Sequence, residues 1–201
     1  MDIPKLTDAH IRAQAEAFLT HYHPARTIPI PIEQIVEFQL KVDIVPLPGL
    51  KEVYDIDGFT SSDLKEISVD LFAYEHRPHR YRFTLAHEVG HTVLHAKLFK
   101  ERPFRTIEEW KRFVTTFPSA EFGLLELQAH RFAGLVLVPP GAFEAALRDN
   151  VPRVKMPKLQ VEKAFAKDLV IEMVAERFDV SDEVIERRLR FDPFDWDAYW
   201  P

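Results

Sequence analysis

Apolar positions recur at helical spacing through most of the chain, and strand-like runs are confined to its early part. Over residues 7–22, Ile11, Ala15, Phe18, Leu19 and Tyr22 fall on one helical face, with Thr7 placed as an N-cap. Pro24, Pro29 and Pro31 then force an extended connection. The pattern predicts a short helix near 32–39 and a short strand over 42–47, closed by Pro46, Pro48 and Gly49. Two further strands, Phe59-Thr60 and 67–71, flank a polar turn at 61–65. Beyond them the predicted elements are helices: 78–98, 107–113, 122–138 (stopped by Pro139-Pro140), 141–148, 159–178 and 181–190. The expected class is α+β, mostly helical, with one small early sheet and a C-terminal helical pair.

Composition narrows the chemistry. The formal net charge of −6 argues against a surface that binds nucleic acid by bulk electrostatics. There is no cysteine, so disulfides and thiolate metal sites are excluded and a metal would have to sit on His, Asp or Glu. The first residues lack a basic segment followed by an apolar run, the pattern of a secretory signal. The most apolar stretch, 133–140, is too short to span a bilayer. A cytoplasmic protein without membrane association is expected.

Residues 87–91 read His-Glu-Val-Gly-His. On a helix, residues four apart differ by only about 40° in direction and one turn in height, so His87 and His91 can reach one zinc ion. Glu88 points about a quarter turn away, where it can act as general base on a metal-bound water without ligating the metal. Phe83, Leu94 and Leu98 lie beside the histidine face, which directs it toward the edge of a core. Gly90 sits where a larger side chain would block close approach of another element. Catalytic zinc takes three protein ligands and keeps one position open. A metzincin third ligand is excluded, because Leu94 and Lys97 stand where that pattern needs Gly and His. A carboxylate from a second helix is the alternative. Glu126 is the leading candidate, in a predicted helix with an apolar far face, and Glu121 at the start of the same segment is the second. His95 continues the histidine face by one turn and suits a packing or supporting role, since a fourth ligand would close the site. His130, one turn after Glu126, is a candidate donor to a tetrahedral oxyanion. His76 and His79 flank a proline and read as loop residues.

These residues resemble the ImmA/IrrE-type metallo-endopeptidases. The likeness runs through Asp57-Gly58-Phe59, Glu66-Ile67-Ser68-Val69, Arg82-Phe83-Thr84-Leu85-Ala86-His87-Glu88-Val89-Gly90-His91 and Leu94-His95. It resumes in Glu126-Leu127-Gln128-Ala129-His130-Arg131-Phe132-Ala133-Gly134 and closes with Leu137-Val138-Pro139, covering about half of the chain. The resemblance implies a zincin-like core, metal ligands His87, His91 and Glu126, and Glu88 as catalytic base. It implies one Zn2+ per chain, although His and Glu ligands also suit other divalent metals such as manganese. One departure is His130, where the family often carries Asn. The resemblance further implies a zinc-dependent endopeptidase that cleaves a helix-turn-helix transcriptional repressor, in stress responses, mobile elements or toxin–antitoxin pairs. The alternative is a non-catalytic zincin-fold regulator, or antitoxin-like protein, that binds a partner without cutting it. The expected division is a metallopeptidase domain over 1–150 and a C-terminal extension over 151–201.

The extension itself reads as a helix-turn-helix around residues 175–189, with Ser181 capping the second helix. That helix begins Asp182-Glu183 and carries Arg187, Arg188 and Arg190 late. Acidic residues facing phosphates are unfavourable, so a structural pair or a partner-docking surface is expected rather than direct DNA binding. The tail sets Phe191, Phe194, Trp196, Tyr199 and Trp200 among aspartates, a composition suited to folding back or meeting a partner.

Overall fold

The computed structural model describes residues 3–101, 103–154 and 163–198. In chain order the elements begin with α1 (Asp8–Tyr22) and α2 (Ile32–Gln34), which passes directly into a π-helical turn, Ile35–Leu40. Then come β1 (Asp43–Leu47), α3 (Leu50–Tyr54), β2 (Gly58–Thr60), β3 (Glu66–Asp70) and α4 (Leu71–His76). The remainder is helical: α5 (Pro78–Leu94), α6 (Ala96–Lys100), α7 (Ile107–Val114), α8 (Ser119–Leu137), α9 (Pro140–Val154), α10 (Lys163–Phe178) and α11 (Asp182–Phe191). The mostly helical α+β expectation holds.

Local chemistry sets the boundaries. The Thr7 hydroxyl accepts from the His10 amide and starts α1. Thr106 and Glu109 form a reciprocal capping box on α7. The sheet has the order β1-β3-β2, with β1 parallel and β2 antiparallel to the central β3. Pro46 lies within β1 rather than ending it, which an edge strand tolerates because one side of its ladder is unpaired. At the end of β3, Asp70 accepts from the Ala73 amide and so turns the strand directly into α4. His76 therefore ends a helix and His79 lies in the first turn of α5; neither is in a loop. The short helix α3, only five residues long, has no counterpart among the elements predicted from the sequence.

Helix packing makes two apolar clusters. The larger joins α1, α2, α5 and α8 with α9, α10 and α11, including Leu85, Val89, Phe132, Val136, Val174 and Ile185. The smaller contains Ile3, Leu98, Phe99, Phe104, Phe113 and Leu125. The predicted helix 78–98 breaks at His95 for this reason. Its apolar residues continue at helical spacing, but Leu98 and Phe99 serve the second cluster, so the chain must turn. The helix predicted over 159–178 is described from Lys163; its first residues, and Tyr199 and Trp200 of the tail, lie outside the described residues.

The C-terminal pair packs on the body through charge as well as apolar surface. Arg188 of α11 is buried against the Phe143 ring and donates to the Val138 carbonyl. It shares Asp192 with Arg12 and Arg131, while Arg131 also binds Asp8. Gly134 on α8 makes room for this arginine, because a Cβ there would lie 3.1 Å from Arg188 Cδ. No helix among the described residues is long and apolar enough to cross a membrane.

Candidate metal centre

Helix α5 presents the two histidines as its spacing requires. His87 and His91 are buried, and their Nε2 atoms lie 3.0 Å apart. Helix α8 brings Glu126 to the same point, with Oε2 3.2 Å from His87 Nε2 and Oε1 3.3 Å from His91 Nε2. The approach depends on Gly90. A Cβ on that residue would lie 3.1 Å from the Ala129 carbonyl oxygen and 3.2 Å from both Ala129 Cα and Phe132. With hydrogen there instead, the two helices meet closely enough for a short carboxylate side chain to span them.

The donor set fits a divalent ion. Ligands held 2.0–2.2 Å from a tetrahedral zinc lie about 3.3–3.6 Å from one another. The two Nε2 atoms stand 3.0 Å apart and lie 3.2 and 3.3 Å from one or the other oxygen of the carboxylate, close to that spacing. Two imidazole nitrogens and a carboxylate converging this tightly repel unless a cation or proton lies among them. The electrostatics carry the same signature. Burial opposes charge on His87, but the Glu126 carboxylate outweighs it and raises the histidine pKa. Burial likewise pushes Glu126 upward, but His87 and His91 prevail and bring its pKa well below the usual carboxylate range.

Glu88 is buried beside the pair and accepts a 2.8 Å hydrogen bond from the Thr60 hydroxyl at its Oε2. Thr60 closes the short strand β2, which packs on α5. Gly58 permits that packing, since a Cβ there would lie 2.7 Å from Thr84 and 2.8 Å from the Ser68 carbonyl oxygen. The sequence marks Thr60 only as part of a strand. The available signal is period-2 alternation, which puts it on the face opposite Phe59.

Of the other candidates, His130 also stands within reach of an ion held by His87 and Glu126. His130 donates from Nδ1 to the Glu126 carbonyl at 3.0 Å, and its ring stands edge-on to His87 at 4.4 Å. Burial pushes its pKa down to about 4. His95 faces the other nitrogen of His91, Nδ1 to Nδ1 at 3.1 Å, on the side away from the converging donors. Burial, reinforced by His91, holds His95 down to about 3. Glu121 lies in the first turn of α8, outside the donor cluster. His76 packs on Phe72, and His79 pairs with Asp179 at 3.2 Å. Gln128 carries no functional signal in the spacing of the sequence; in the fold it hydrogen-bonds His95 at 2.9 Å.

The donors line a cleft of about 280 Å3 together with an apolar set, Phe99, Trp110, Phe113, Phe122 and Leu125. Asp57, Phe83 and His130 are shared with a broader groove of about 1200 Å3 that runs along α4, the start of α5 and α11. The two spaces therefore meet at His130.

A family model described as the IrrE N-terminal-like domain, Peptidase_M78, matches residues 39–190. Among solved structures, a Mycobacterium tuberculosis transcriptional regulator is similar, with a TM-score of 0.55 at 18% sequence identity. The match covers 89% of this chain and 46% of that one, so this chain spans less than half of the regulator's length. At that identity the likeness is one of fold. No curated protein matches the chain.

Proposed function

The chain belongs to the IrrE N-terminal-like peptidase family, and from that premise we propose that it is a zinc-dependent endopeptidase acting on a regulatory protein, a helix-turn-helix transcriptional repressor. One observation carries the reading: His87, His91 and Glu126 converge within 3.3 Å of one another while Glu88 is buried at the same cleft. His87 and His91 through Nε2, and Glu126 through its carboxylate, would hold the ion. Bound there, zinc supplies Lewis acidity and brings the pKa of a water to about 7.

The chain's own residues do the rest. Glu88 takes the proton of the attacking water and returns it to the leaving amine. Thr60 occupies one oxygen of that carboxylate and thereby fixes its direction. With its Nδ1–H committed to the Glu126 carbonyl and its ring kept neutral by burial, His130 carries a lone pair on Nε2. In place of the oxyanion donor expected from the sequence, His130 then offers an acceptor to the cleft and steadies the turn of α8 that bears Glu126. The apolar lining of the cleft favours a large apolar side chain next to the scissile bond, and the wider groove has room for further residues of an extended substrate.

A partner in transcriptional control is supported by the family and by the description of the similar structure as a transcriptional regulator. The burial of Arg188 supports a structural rather than DNA-reading role for α11. The test is intact mass spectrometry of the helix-turn-helix regulator encoded nearest to this protein, co-expressed with wild type or Glu88→Gln. A discrete fragment found only with wild type is expected. An uncut regulator held in a stable complex by both proteins would favour the partner-binding alternative instead.

A further inference from the structure

Four groups in a row, running from the N-terminal segment to the metal centre, leave one arrangement of their protons when both imidazoles are neutral. The Pro4 carbonyl can only accept, so Gln128 must present its Nε2 amide hydrogens to it, at 2.8 Å. That places Gln128 Oε1, also purely an acceptor, against His95 Nε2 at 2.9 Å, and His95 must donate from Nε2. A neutral imidazole with its hydrogen on Nε2 has a lone pair on Nδ1. His95 Nδ1 faces His91 Nδ1 at 3.1 Å, so His91 must donate from Nδ1. The His91 Nε2 lone pair is then directed at the point shared with His87 Nε2 and Glu126 Oε1.

We propose that His95 and Gln128 are positioning residues that lock His91 in its metal-binding tautomer, and that the Pro4 carbonyl anchors the relay. This rests on the zinc reading of the His87, His91 and Glu126 cluster. The three side chains of the relay are buried, His91 at 3% exposed and His95 and Gln128 at 2% each, while Pro4 at its outer end is exposed. Ile3, next to the anchoring carbonyl, is buried in the smaller apolar cluster with Leu98 and Phe99, which come after the helix break at His95. The break therefore has a second consequence, because it seats His95 between His91 and Gln128. His87 has no counterpart: its Nδ1 is buried without a hydrogen-bond partner among the described residues. Of the two histidine ligands, His91 is the one oriented by protein.

The test compares zinc affinity, by competition with a chromogenic chelator, across wild type, His95→Phe, His95→Gln and Gln128→Leu of the full chain. Metal-free melting temperatures are measured alongside. Phe keeps the ring volume but cannot accept from His91, whereas Gln can both accept from His91 and donate to Gln128. The expected result is a loss of about 10–100-fold in affinity for His95→Phe and Gln128→Leu, the range seen when groups supporting a metal ligand are removed. His95→Gln should recover most of it. Nitrogen-15 shifts of the zinc-loaded wild type should report hydrogen on His91 Nδ1 and on His95 Nε2. Equal affinities across the folded variants, or His95 carrying its hydrogen on Nδ1, would overturn the relay while leaving the metal centre standing. A wild type that binds no divalent metal overturns both.

Discussion

The Thr60 hydroxyl donates to Glu88 Oε2 across 2.8 Å, joining an edge strand of the sheet to the helix that carries both histidines. The two residues are 28 positions apart, and both are buried. Because the bond is to a carboxylate, it is worth about 1.5–3 kcal/mol, or about 10–100-fold in rate if the proton-transfer step depends on it. Thr60→Val, which keeps the shape, is expected to lower kcat by that factor with zinc content unchanged, and Thr60→Ser to restore most of it. Glu88→Gln should abolish turnover while retaining metal. Steady-state kinetics on a cleaved peptide, with metal analysis of each variant, makes the check.

The contact of Gly90 with Ala129 gives a prediction about stability. All three atoms that a Cβ would meet are backbone or a packed ring, so none can swing aside. Gly90→Ala should cost about 1–3 kcal/mol through overpacking. It should also weaken zinc binding, because α8 can relieve the clash only by carrying Glu126 away from the histidines. Urea denaturation and chelator competition on the same preparation would separate the two effects.

Trp110 lines the cleft of the metal donors and packs near Phe59 and Phe122. Replacing it with Ala removes apolar contact worth about 1–2 kcal/mol to a bulky side chain. Trp110→Ala is therefore expected to raise KM about tenfold or more for peptides with a large apolar residue at the scissile bond, with little change in kcat. A peptide series varying only that residue would test this, and an unchanged preference would place the specificity elsewhere.

Asp192 holds three arginines: Arg12, Arg131 and Arg188. Burial pushes its pKa up, but these partners outweigh burial and bring it below its ordinary value of 3.8. A carboxylate depressed in the folded state contributes stability that is fully present above that ordinary value and is lost as pH falls through the folded one. Melting temperature should therefore hold steady with respect to this group near neutrality and fall at pH below about 4. Asp192→Asn should flatten that acid limb and cost about 3 kcal/mol at neutral pH, the low end for breaking a buried pair since the Asp192 side chain is 23% exposed. The loss falls on the seam between α11 and α8, where Arg188 would be left buried without its counter-charge.

Local geometry accounts for most of what was legible in the sequence alone, and the resemblance across two segments for the choice of Glu126. Residues four apart on a helix share a face through the hydrogen-bond pattern of the helix itself, so His87 and His91 stand out as a pair and Glu88 as their neighbour. Thr7 announces its cap, and the apolar rhythm marks α1, α5 and α8, because those signals need only a few adjacent residues. Tertiary structure decided the rest. Glu126 and Glu121 lie on one helix, and the docking of α8 on Gly90 is what physically brings Glu126, the leading candidate of the sequence, to the histidines. The break at His95 leaves no trace in the helical period, since Leu98 and Phe99 keep the rhythm while belonging to a different cluster. Thr60, Gln128 and Pro4 reach the site or its supporting relay from β2, α8 and the N-terminal segment. Contacts between segments so far apart are set by how whole elements pack, and no pattern of neighbouring residues encodes that.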